Sequence, residues 1–310
     1  MGEKILGFYN IIGNEKNKIF LERIINANNI VHSYMFEGIE GIGKSIFARE
    51  FAKMILCIGE DKVNCNTCKS CIEFNSSNNP DFIQIEPDGK IIKIEQIRQM
   101  QEKILEKPII SNKKVYVIKD ADLMTKEAQN CLLKTLEEPP AYIVIILVLS
   151  NESKILNTVK SRCMRINFEG INEENLRRYA SNNFEDTTGL ENIIKNCNGS
   201  ISRLIEIKEN FSEYEQVEIL IDKFKKGNIL DILGVEDVLY KNKDMIEGIL
   251  DYMTSIFYKG AVNGNMRFVN AIKEVEIAKQ RLKQNSNYDM TMDHLVFRIW
   301  EEINENSNRS

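Results

Sequence analysis

The chain has 310 residues, which is long enough for two or three domains of roughly 100–150 residues each. Hydrophobic residues make up 43% of it and charged residues 28%, an ordinary balance for a soluble globular protein. The formal net charge of −5 excludes a protein that holds nucleic acid through overall positive charge. Because no apolar run approaches the ~20 residues of a membrane helix and the N-terminus lacks a secretory pattern, we expect a cytoplasmic protein.

Short apolar runs alternate with helical patterns through the first half of the chain. The runs that predict strands are 33–36, 82–86, 115–118, 143–149 and 164–168, and the helical patterns between them include 45–56, 94–106 and 126–137. Strands that alternate with helices form βαβ units, whose strands pair in parallel and are covered by helices on both faces. The first half is therefore predicted to be an α/β domain built on a largely parallel sheet.

Beyond Gly170 only helical patterns remain, and all five prolines lie at or before Pro140. The predicted helices are 173–181, 189–196, one from about 200, 213–226, 229–241, 244–258, 267–283 and 291–304. The sequence thus predicts three parts, which are an α/β domain over 1–169, a small helical lid over 170–207 and an all-α domain over 208–310.

A candidate phosphate-binding loop follows the first predicted strand. Residues 38–45 read GIEGIGKS, which matches the pattern G-x-x-x-x-G-K-S/T between a strand and a helix. Glycines let the backbone curl so that its N–H groups face phosphate oxygens, and the helix N-terminus adds partial positive charge. The lysine would reach the β- and γ-phosphates of ATP, and the serine hydroxyl would bind Mg²⁺. A glycine-rich turn that binds no nucleotide is the alternative. The candidate nucleotide-binding residues are Gly38, Gly41, Gly43, Lys44 and Ser45.

Four of the seven cysteines cluster after the helix that follows this loop, and they are Cys57, Cys65, Cys68 and Cys71. In a reducing compartment, clustered thiols favour a metal over disulfides, and zinc takes four thiolates tetrahedrally. Four protein ligands leave no position for water, so the predicted zinc site is structural, in a small module at about 57–75. An iron–sulfur cluster and four free thiols are the alternatives.

The third predicted strand ends without the acidic pair of an ATP-hydrolysing enzyme. Such enzymes carry Asp-Glu there, the Asp to hold Mg²⁺ and the Glu to polarise the attacking water. In this chain Lys119 stands at the metal position, and Asp120, one methylene shorter than Glu, stands at the water position. A shift of one residue would place Asp120 at the metal but Ala121 at the water position. Either alignment lacks one catalytic group, so the sequence predicts poor hydrolysis.

Together these segments resemble the clamp-loader branch of the AAA+ family, and within it the delta-prime class of subunits of bacterial DNA polymerase III. The shared segments are HSYMF running into the phosphate loop, the four-cysteine insertion, NPDF at 79–82, NCLLKTLEEPP at 130–140, SRC at 161–163 and GSISR at 199–203. LLKTLEEPP and SRC are the most distinctive of them. The remainder of the chain agrees with the family only in being helical.

The resemblance implies roles for single residues. Arg162 of the SRC segment would be an arginine finger, acting in trans on ATP bound by a neighbouring subunit. A surface arginine in a salt bridge is the alternative for it. Arg203 would be a second sensor that contacts nucleotide on its own subunit, and Ser150 or Asn151 would occupy the first-sensor position. The resemblance also implies an AAA+ nucleotide-binding domain at 1–169 and, at 208–310, a helical collar that joins subunits.

Delta-prime subunits commonly depart from the Asp-Glu pair while keeping SRC, as this chain does, whereas the ATP-hydrolysing gamma/tau subunit keeps both. The resemblance therefore implies a chain with little ATPase and no polymerase activity, which binds ATP or ADP with Mg²⁺ passively. Its partners would be gamma/tau and delta subunits in a hetero-pentamer that loads the sliding clamp onto primer–template DNA. The alternatives are an ATP-hydrolysing gamma/tau-type motor subunit and an unrelated zinc-containing P-loop adaptor outside replication.

Overall fold

A computed structural model describes residues 8, 11–59, 64–186, 188–226, 229–232, 234 and 236–304. The chain divides into two compact units, Met1–Tyr179 and Ala180–Ser310. The first unit carries the strands, whereas the described part of the second contains only helices. Within the described ranges, no helix is both long and apolar enough to cross a membrane. The boundary between a lid and a collar at 207/208 stays a prediction.

Five parallel strands form the sheet of the first unit, in the order β2-β3-β4-β1-β5. The strands are β1 (Ser33–Glu37), β2 (Phe82–Ile85), β3 (Lys114–Ile118), β4 (Ile143–Leu149) and β5 (Met164–Asn167). Every residue of β3 and β4 is buried, as expected for strands covered on both faces. The predicted parallel sheet is confirmed, and each predicted strand end lies within one residue of the observed one.

Helices cover both faces of this sheet. The helices of the first unit are α1 (Glu15–Asn26), α2 (Lys44–Leu56), α3 (Lys69–Asn75), α4 (Ile94–Ile104), α5 (Lys126–Glu137) and α6 (Asn157–Lys160), and α7 (Glu173–Asn183) spans the division between the units. Successive residues of β1 serve opposite faces, because strand side chains alternate. Phe36 packs in the core with Phe47 and Phe51 of α2, while Met35 belongs to the core formed with α4 and α5.

The NPDF segment at 79–82 leads directly into β2. The Asp81 carboxylate is fully buried and accepts hydrogen bonds from three backbone N–H groups, those of Ile109 (2.7 Å), Ile110 (2.8 Å) and Ser111 (2.7 Å). A buried carboxylate with three such donors is well compensated for the loss of water. Asp81 therefore fixes the turn that leads into β3.

Two further buried hydrogen bonds link α3 to the NPDF segment and the end of α2 to the turn before β3. The Asn79 side-chain amide donates to the Ser70 carbonyl oxygen in α3 at 2.9 Å. The Ser111 hydroxyl donates to the Leu56 carbonyl oxygen, the last of α2, at 2.8 Å. The helix that carries Cys71 is thereby fastened to the strands, so the cysteine region is not a free appendage.

The second unit is built from helices alone over its described residues. They are α8 (Leu190–Asn196), α9 (Ile201–Glu209), α10 (Phe211–Lys226), α11 (Asp237–Lys241), α12 (Ile246–Val262), α13 (Arg267–Lys283) and α14 (Tyr288–Asn304). The predicted continuous helix over 229–241 is wrong. A short 3-10 turn at Ile229–Asp231 precedes α11, and between them Gly234 has φ +88°, a left-handed value that a right-handed helix cannot continue through.

We expect Asp81→Asn to lower the free energy of unfolding of the first unit by about 2–3 kcal/mol. The substituted amide has only one acceptor oxygen, carries no charge and turns an NH₂ group towards backbone N–H donors. Chemical denaturation followed by circular dichroism measures the loss. Asp88→Asn is the control, because the Asp88 side chain is 70% exposed. A loss no larger than that of the control contradicts the role of Asp81.

Candidate functional site

The segment between β1 and α2 has the strand–loop–helix form that a phosphate-binding loop requires. Gly41 and Gly43 have φ values of +77° and +89°, in the left-handed region that glycine adopts without strain. A Cβ atom on Gly38 would lie 2.5 Å from the Phe168 carbonyl oxygen, so no side chain fits there. α2 begins at Lys44, directly after Gly43, and its first backbone N–H groups lack partners within the helix.

The Lys44 side chain is folded back over this loop. Its ammonium donates hydrogen bonds to the carbonyl oxygens of Gly38 (2.8 Å) and Ile39 (2.6 Å) and to Ser150 Oγ (3.1 Å). The residue is only 6% exposed. All three acceptors are neutral, so a phosphate oxygen would be a stronger partner for this cation. Ser45 follows in the first turn of α2 and is half-buried.

Burial lowers the pKa of Lys44, and the carboxylates of Glu40, Asp120 and Asp122 oppose that shift. The residues after β3 therefore lie near enough to influence the loop lysine. Since β3, β4 and β1 are adjacent parallel strands, their carboxyl ends meet at one edge of the sheet. We call this edge, with residues 38–45, 119–122 and Ser150, the loop edge.

At the loop edge, Lys119 forms an ion pair with a residue that follows β2. Its ammonium lies 2.7 Å from Glu86 Oε1. The hydrogen bond and charge of Lys119 hold the pKa of the Glu86 carboxyl below its usual value. The cation at the predicted metal position is thus already paired with an anion. Glu86 is not among the functional residues predicted from the sequence, because nothing local connects it with Lys119.

Asp120 and Asp122 lie in the tight turn that leaves β3. Asp120 has φ +48° and precedes the 3-10 turn Ala121–Leu123. One oxygen of Asp122 accepts a hydrogen bond from the Ser150 backbone N–H at 3.3 Å, and its side chain is 10% exposed. Asp122 thereby supports the serine that contacts Lys44. It too is not among the predicted residues, although a second acidic residue two positions after Asp120 is a signal for it.

The two candidates for the first-sensor position differ clearly in their contacts. Ser150 follows β4 at the loop edge and contacts Lys44 directly. Asn151 instead accepts a hydrogen bond from the Ser153 backbone N–H at 3.0 Å and so begins the turn Glu152–Lys154. The geometry favours Ser150 over Asn151.

Arg162 lies at the opposite edge of the sheet, because it precedes β5 whereas the phosphate loop follows β1. The hydroxyl of Ser33, the first residue of β1, donates to the Arg162 carbonyl oxygen at 2.5 Å. β1 has five residues, and at a rise of roughly 3.3 Å per residue the strand separates its two ends by about 13 Å. We call this edge, with Ser33 and Arg162, the finger edge.

The Arg162 guanidinium is held at two points and remains partly open to solvent. Nη2 lies 2.7 Å from Glu137 Oε1 at the end of α5, and Nη1 donates to the Thr158 carbonyl oxygen at 2.8 Å. The side chain is 34% exposed. Its neighbour Cys163 points inward, and burial raises the pKa of that thiol to about 11, which keeps it protonated and unreactive at neutral pH.

The four predicted metal ligands come together between α2 and α3. The Sγ atoms of Cys57, Cys65, Cys68 and Cys71 all lie within 4.8 Å of one another, with Cys57–Cys65 at 3.6 Å and Cys65–Cys71 at 3.9 Å. Zinc–sulfur bonds of about 2.3 Å place tetrahedral sulfurs about 3.8 Å apart. The cluster is therefore compatible with a structural metal.

Backbone N–H groups point at two of the four cysteine sulfurs, although burial raises the pKa values of Cys57 and Cys71. The N–H groups of Cys68 and Cys71 point at Cys65 Sγ and Cys68 Sγ, each at 3.4 Å. Burial raises the pKa of Cys65, but hydrogen bonds from Thr67 and Cys68 outweigh it and bring the pKa down to about 6. A Cβ atom on Gly59 would lie 2.9 Å from Cys65 Sγ, so the chain packs closely against the sulfurs.

Arg203 lies in the second unit, in the first turn of α9. Its Nη1 pairs with Asp251 of α12 at 2.9 Å, and its Nη2 donates to the Gly248 carbonyl oxygen at 2.8 Å. Asp251 also pairs with Lys279 of α13 at 2.6 Å, and these partners hold its pKa below the usual value against the effect of burial. Within its unit Arg203 thus joins α9 to α12, and its role as a second sensor stays a prediction.

The family model described as DNA polymerase III, delta subunit, matches residues 13–172. DNA polymerase III subunit delta′ of Bacillus subtilis is 27% identical, over 89% of this chain and 93% of that protein. DNA polymerase III subunit gamma of Buchnera aphidicola subsp. Schizaphis graminum is 32% identical, over 74% of this chain and 63% of that protein. The tau/gamma subunit of Haemophilus influenzae is 28% identical over 75% of this chain, which spans only 34% of that protein.

A solved structure supports the same fold. The gamma subunit-related protein of DNA polymerase III from Thermotoga maritima matches with a TM-score of 0.50 and 18% identity, over 92% of this chain and 99% of that chain. The parallel five-stranded sheet with its many helices is therefore the AAA+ fold that the sequence predicts. Because the family model covers half of the chain, this chain belongs to the clamp-loader family of DNA polymerase III.

Proposed function

We propose that this chain is a delta-prime-type subunit of a clamp loader. It binds ATP or ADP passively, lends Arg162 to a neighbouring ATPase subunit, and acts in the cytoplasm within a hetero-pentamer that also contains gamma/tau and delta subunits. Through that complex it helps load the sliding clamp onto primed DNA. The chain itself contributes little ATPase and no polymerase activity.

The observation that carries this proposal is the ion pair between Lys119 and Glu86. Hydrolysis of ATP requires an acidic residue that helps to hold Mg²⁺ and a second group that orients the attacking water. At the end of β3 a lysine occupies the first position, and the Glu86 carboxylate, 2.7 Å away, neutralises it. Asp120 at the second position is shorter than the usual glutamate. The loop edge is therefore poorly equipped for hydrolysis.

Nucleotide binding does not require the groups that hydrolysis requires, and the residues of the loop edge support it. Lys44 and Ser45 are the residues that would hold the phosphates and their Mg²⁺, and Gly38, Gly41 and Gly43 give the backbone its curl. Lys44 is restrained by neutral acceptors alone, which a phosphate can replace. When bound, ATP with Mg²⁺ supplies the charged phosphate groups for which this loop is shaped.

The position of Arg162 supports a role in trans. It lies at the finger edge, about 13 Å of strand away from its own phosphate loop. An arginine side chain cannot reach across that distance, but a partly exposed guanidinium at a surface can enter the site of an adjoining subunit. There it would stabilise the charge that develops on the γ-phosphate.

A gamma/tau-type motor subunit is the second candidate function. The intact phosphate loop favours it, as do identities of 28–32% with gamma and tau relatives. Against it stands the Lys119–Glu86 pair, which occupies the position where a motor needs an acidic metal ligand. ATP turnover by the isolated chain separates the two candidates.

We expect Arg162→Ala to lower the ATPase of a complex reconstituted with purified gamma/tau and delta subunits. Loss of an arginine finger slows the site that it serves on the order of 10³-fold, so the complex loses that site's share of turnover. Steady-state phosphate release measures the rate, and gel filtration shows whether the complex still assembles. Arg165→Ala is the matched control, since Arg165 is a nearby exposed arginine paired with Glu37 and Glu152. Equal rates for the two variants would rule out the finger.

We also propose that Cys57, Cys65, Cys68 and Cys71 bind one structural Zn²⁺. Cys68→Ser should abolish stoichiometric zinc, measured by inductively coupled plasma mass spectrometry. If the loss costs the first unit about 2 kcal/mol, its melting temperature falls by roughly 4–8 °C. Cys131→Ser, outside the cluster, should keep zinc and stability. Iron with absorption near 400 nm in the purified protein, or no metal at all, would contradict the zinc assignment.

A further inference from the structure

We propose that Glu137 is a positioning residue for Arg162, so that the last residue of α5 sets the direction in which the guanidinium is presented to a neighbouring subunit. This inference rests on the proposed role of Arg162 as an arginine finger. Glu137 belongs to the LEEPP segment at 136–140. Its role is not evident from the sequence, because its partner Arg162 lies between α6 and β5, far from it along the chain.

Backbone and side chain of Arg162 are fixed by separate groups. The Ser33 hydroxyl holds the Arg162 carbonyl oxygen at 2.5 Å, and Ser33 itself is 1% exposed. The side chain then runs outward to two anchors, the carboxylate of Glu137 at 2.7 Å and the Thr158 carbonyl oxygen at 2.8 Å. Thr158 contributes a backbone oxygen, and Ser161 Oγ makes only a longer contact of 3.5 Å with Nη1, so Glu137 is the close anchor that a side-chain substitution removes.

The anchors leave part of the guanidinium available. A guanidinium has five N–H donors in one plane. Nη2 binds Glu137, and Nη1 binds Thr158 with a longer contact of 3.5 Å to Ser161 Oγ, so the remaining donors on Nε and Nη2 can still bind an anion. Two contacts on different nitrogens fix the plane of the group as well as its position. The pair can therefore remain in place while Arg162 contacts a phosphate oxygen.

Stability is a poor explanation for this ion pair. The Arg162 and Glu137 side chains are 34% and 50% exposed, and ion pairs at that exposure contribute little to folding. Orientation of the Arg162 side chain is a better explanation for the pair, because a free arginine side chain samples many rotamers and must be ordered before it can act. Glu137 orders it in advance. The nearby Arg165 has its own carboxylates, Glu37 and Glu152, and does not compete for Glu137.

The Glu137 carboxylate also neutralises part of the positive charge of Arg162, and this effect opposes the benefit of orientation. If charge compensation dominated, removal of Glu137 would speed hydrolysis at the neighbouring site. We expect orientation to dominate, because misplacement of a catalytic group by an ångström is costly while a half-exposed carboxylate is well screened by water.

The experiment compares Glu137→Ala with Glu138→Ala in the complex reconstituted with gamma/tau and delta subunits. Glu138 is the next residue along, is also exposed and follows the end of α5, so it is a matched control. We expect Glu137→Ala to lower kcat at the site served by Arg162 about three- to tenfold, with KM for ATP and assembly unchanged. Glu137→Gln, which keeps an acceptor oxygen, should retain more activity than Glu137→Ala.

A double-mutant cycle separates positioning from general damage. In an Arg162→Ala background, Glu137→Ala should cause no further loss, because its effect passes through Arg162. A further loss there, or rates equal to those of Glu138→Ala or above wild type, would overturn the role of Glu137. If Arg162→Ala itself is silent, the proposed function fails instead, so the two failures are distinguishable.

Discussion

Parallel pairing of β1 with both β4 and β5 is the constraint on which the candidate site depends. Together with the parallel pairing of β3 and β4, it brings the carboxyl ends of β1, β3 and β4 to the loop edge, where Lys44 contacts Ser150. It also brings the amino ends of β1 and β5 to the finger edge, where Ser33 meets Arg162. A slip of one residue in β1 would exchange the faces of Met35 and Phe36 and separate both pairs. One strand thus contacts the proposed nucleotide loop at one end and, through Ser33, the proposed arginine finger at the other.

The two lysines of the loop edge, Lys44 and Lys119, differ in the charge of their partners. Lys44 is held by two carbonyl oxygens and a hydroxyl, all neutral, while Lys119 is held by the Glu86 carboxylate. An incoming phosphate can displace neutral acceptors from Lys44, whereas Lys119 is already paired with a carboxylate. This contrast supports the proposal that the loop edge holds a nucleotide without turning it over. The proposed division of labour, in which this chain assists catalysis elsewhere, follows from that contrast.

The features predicted correctly from the sequence are those with local signals. The apolar runs predicted the five strands, and the four cysteines, which span a short segment, lie together as predicted. Contacts between distant segments could not be predicted, and Glu86 with Lys119 and Glu137 with Arg162 are of this kind. The helix predicted over 229–241 failed because its apolar spacing suited a helix while Gly234 did not. Helix α1 lies in a segment without a distinctive motif and was not predicted from the sequence.

The most direct test of passive binding is ATP handling by the purified chain with Mg²⁺, compared with Lys44→Ala. Fluorescent-analogue titration measures binding, and steady-state phosphate release measures turnover. We expect the wild-type chain to bind nucleotide at least about tenfold more tightly than Lys44→Ala, while the two show the same background turnover. Turnover by the wild-type chain that Lys44→Ala abolishes would contradict this account. It would show that Lys119 and Asp120 support hydrolysis, and a gamma/tau-type motor would then be the better description.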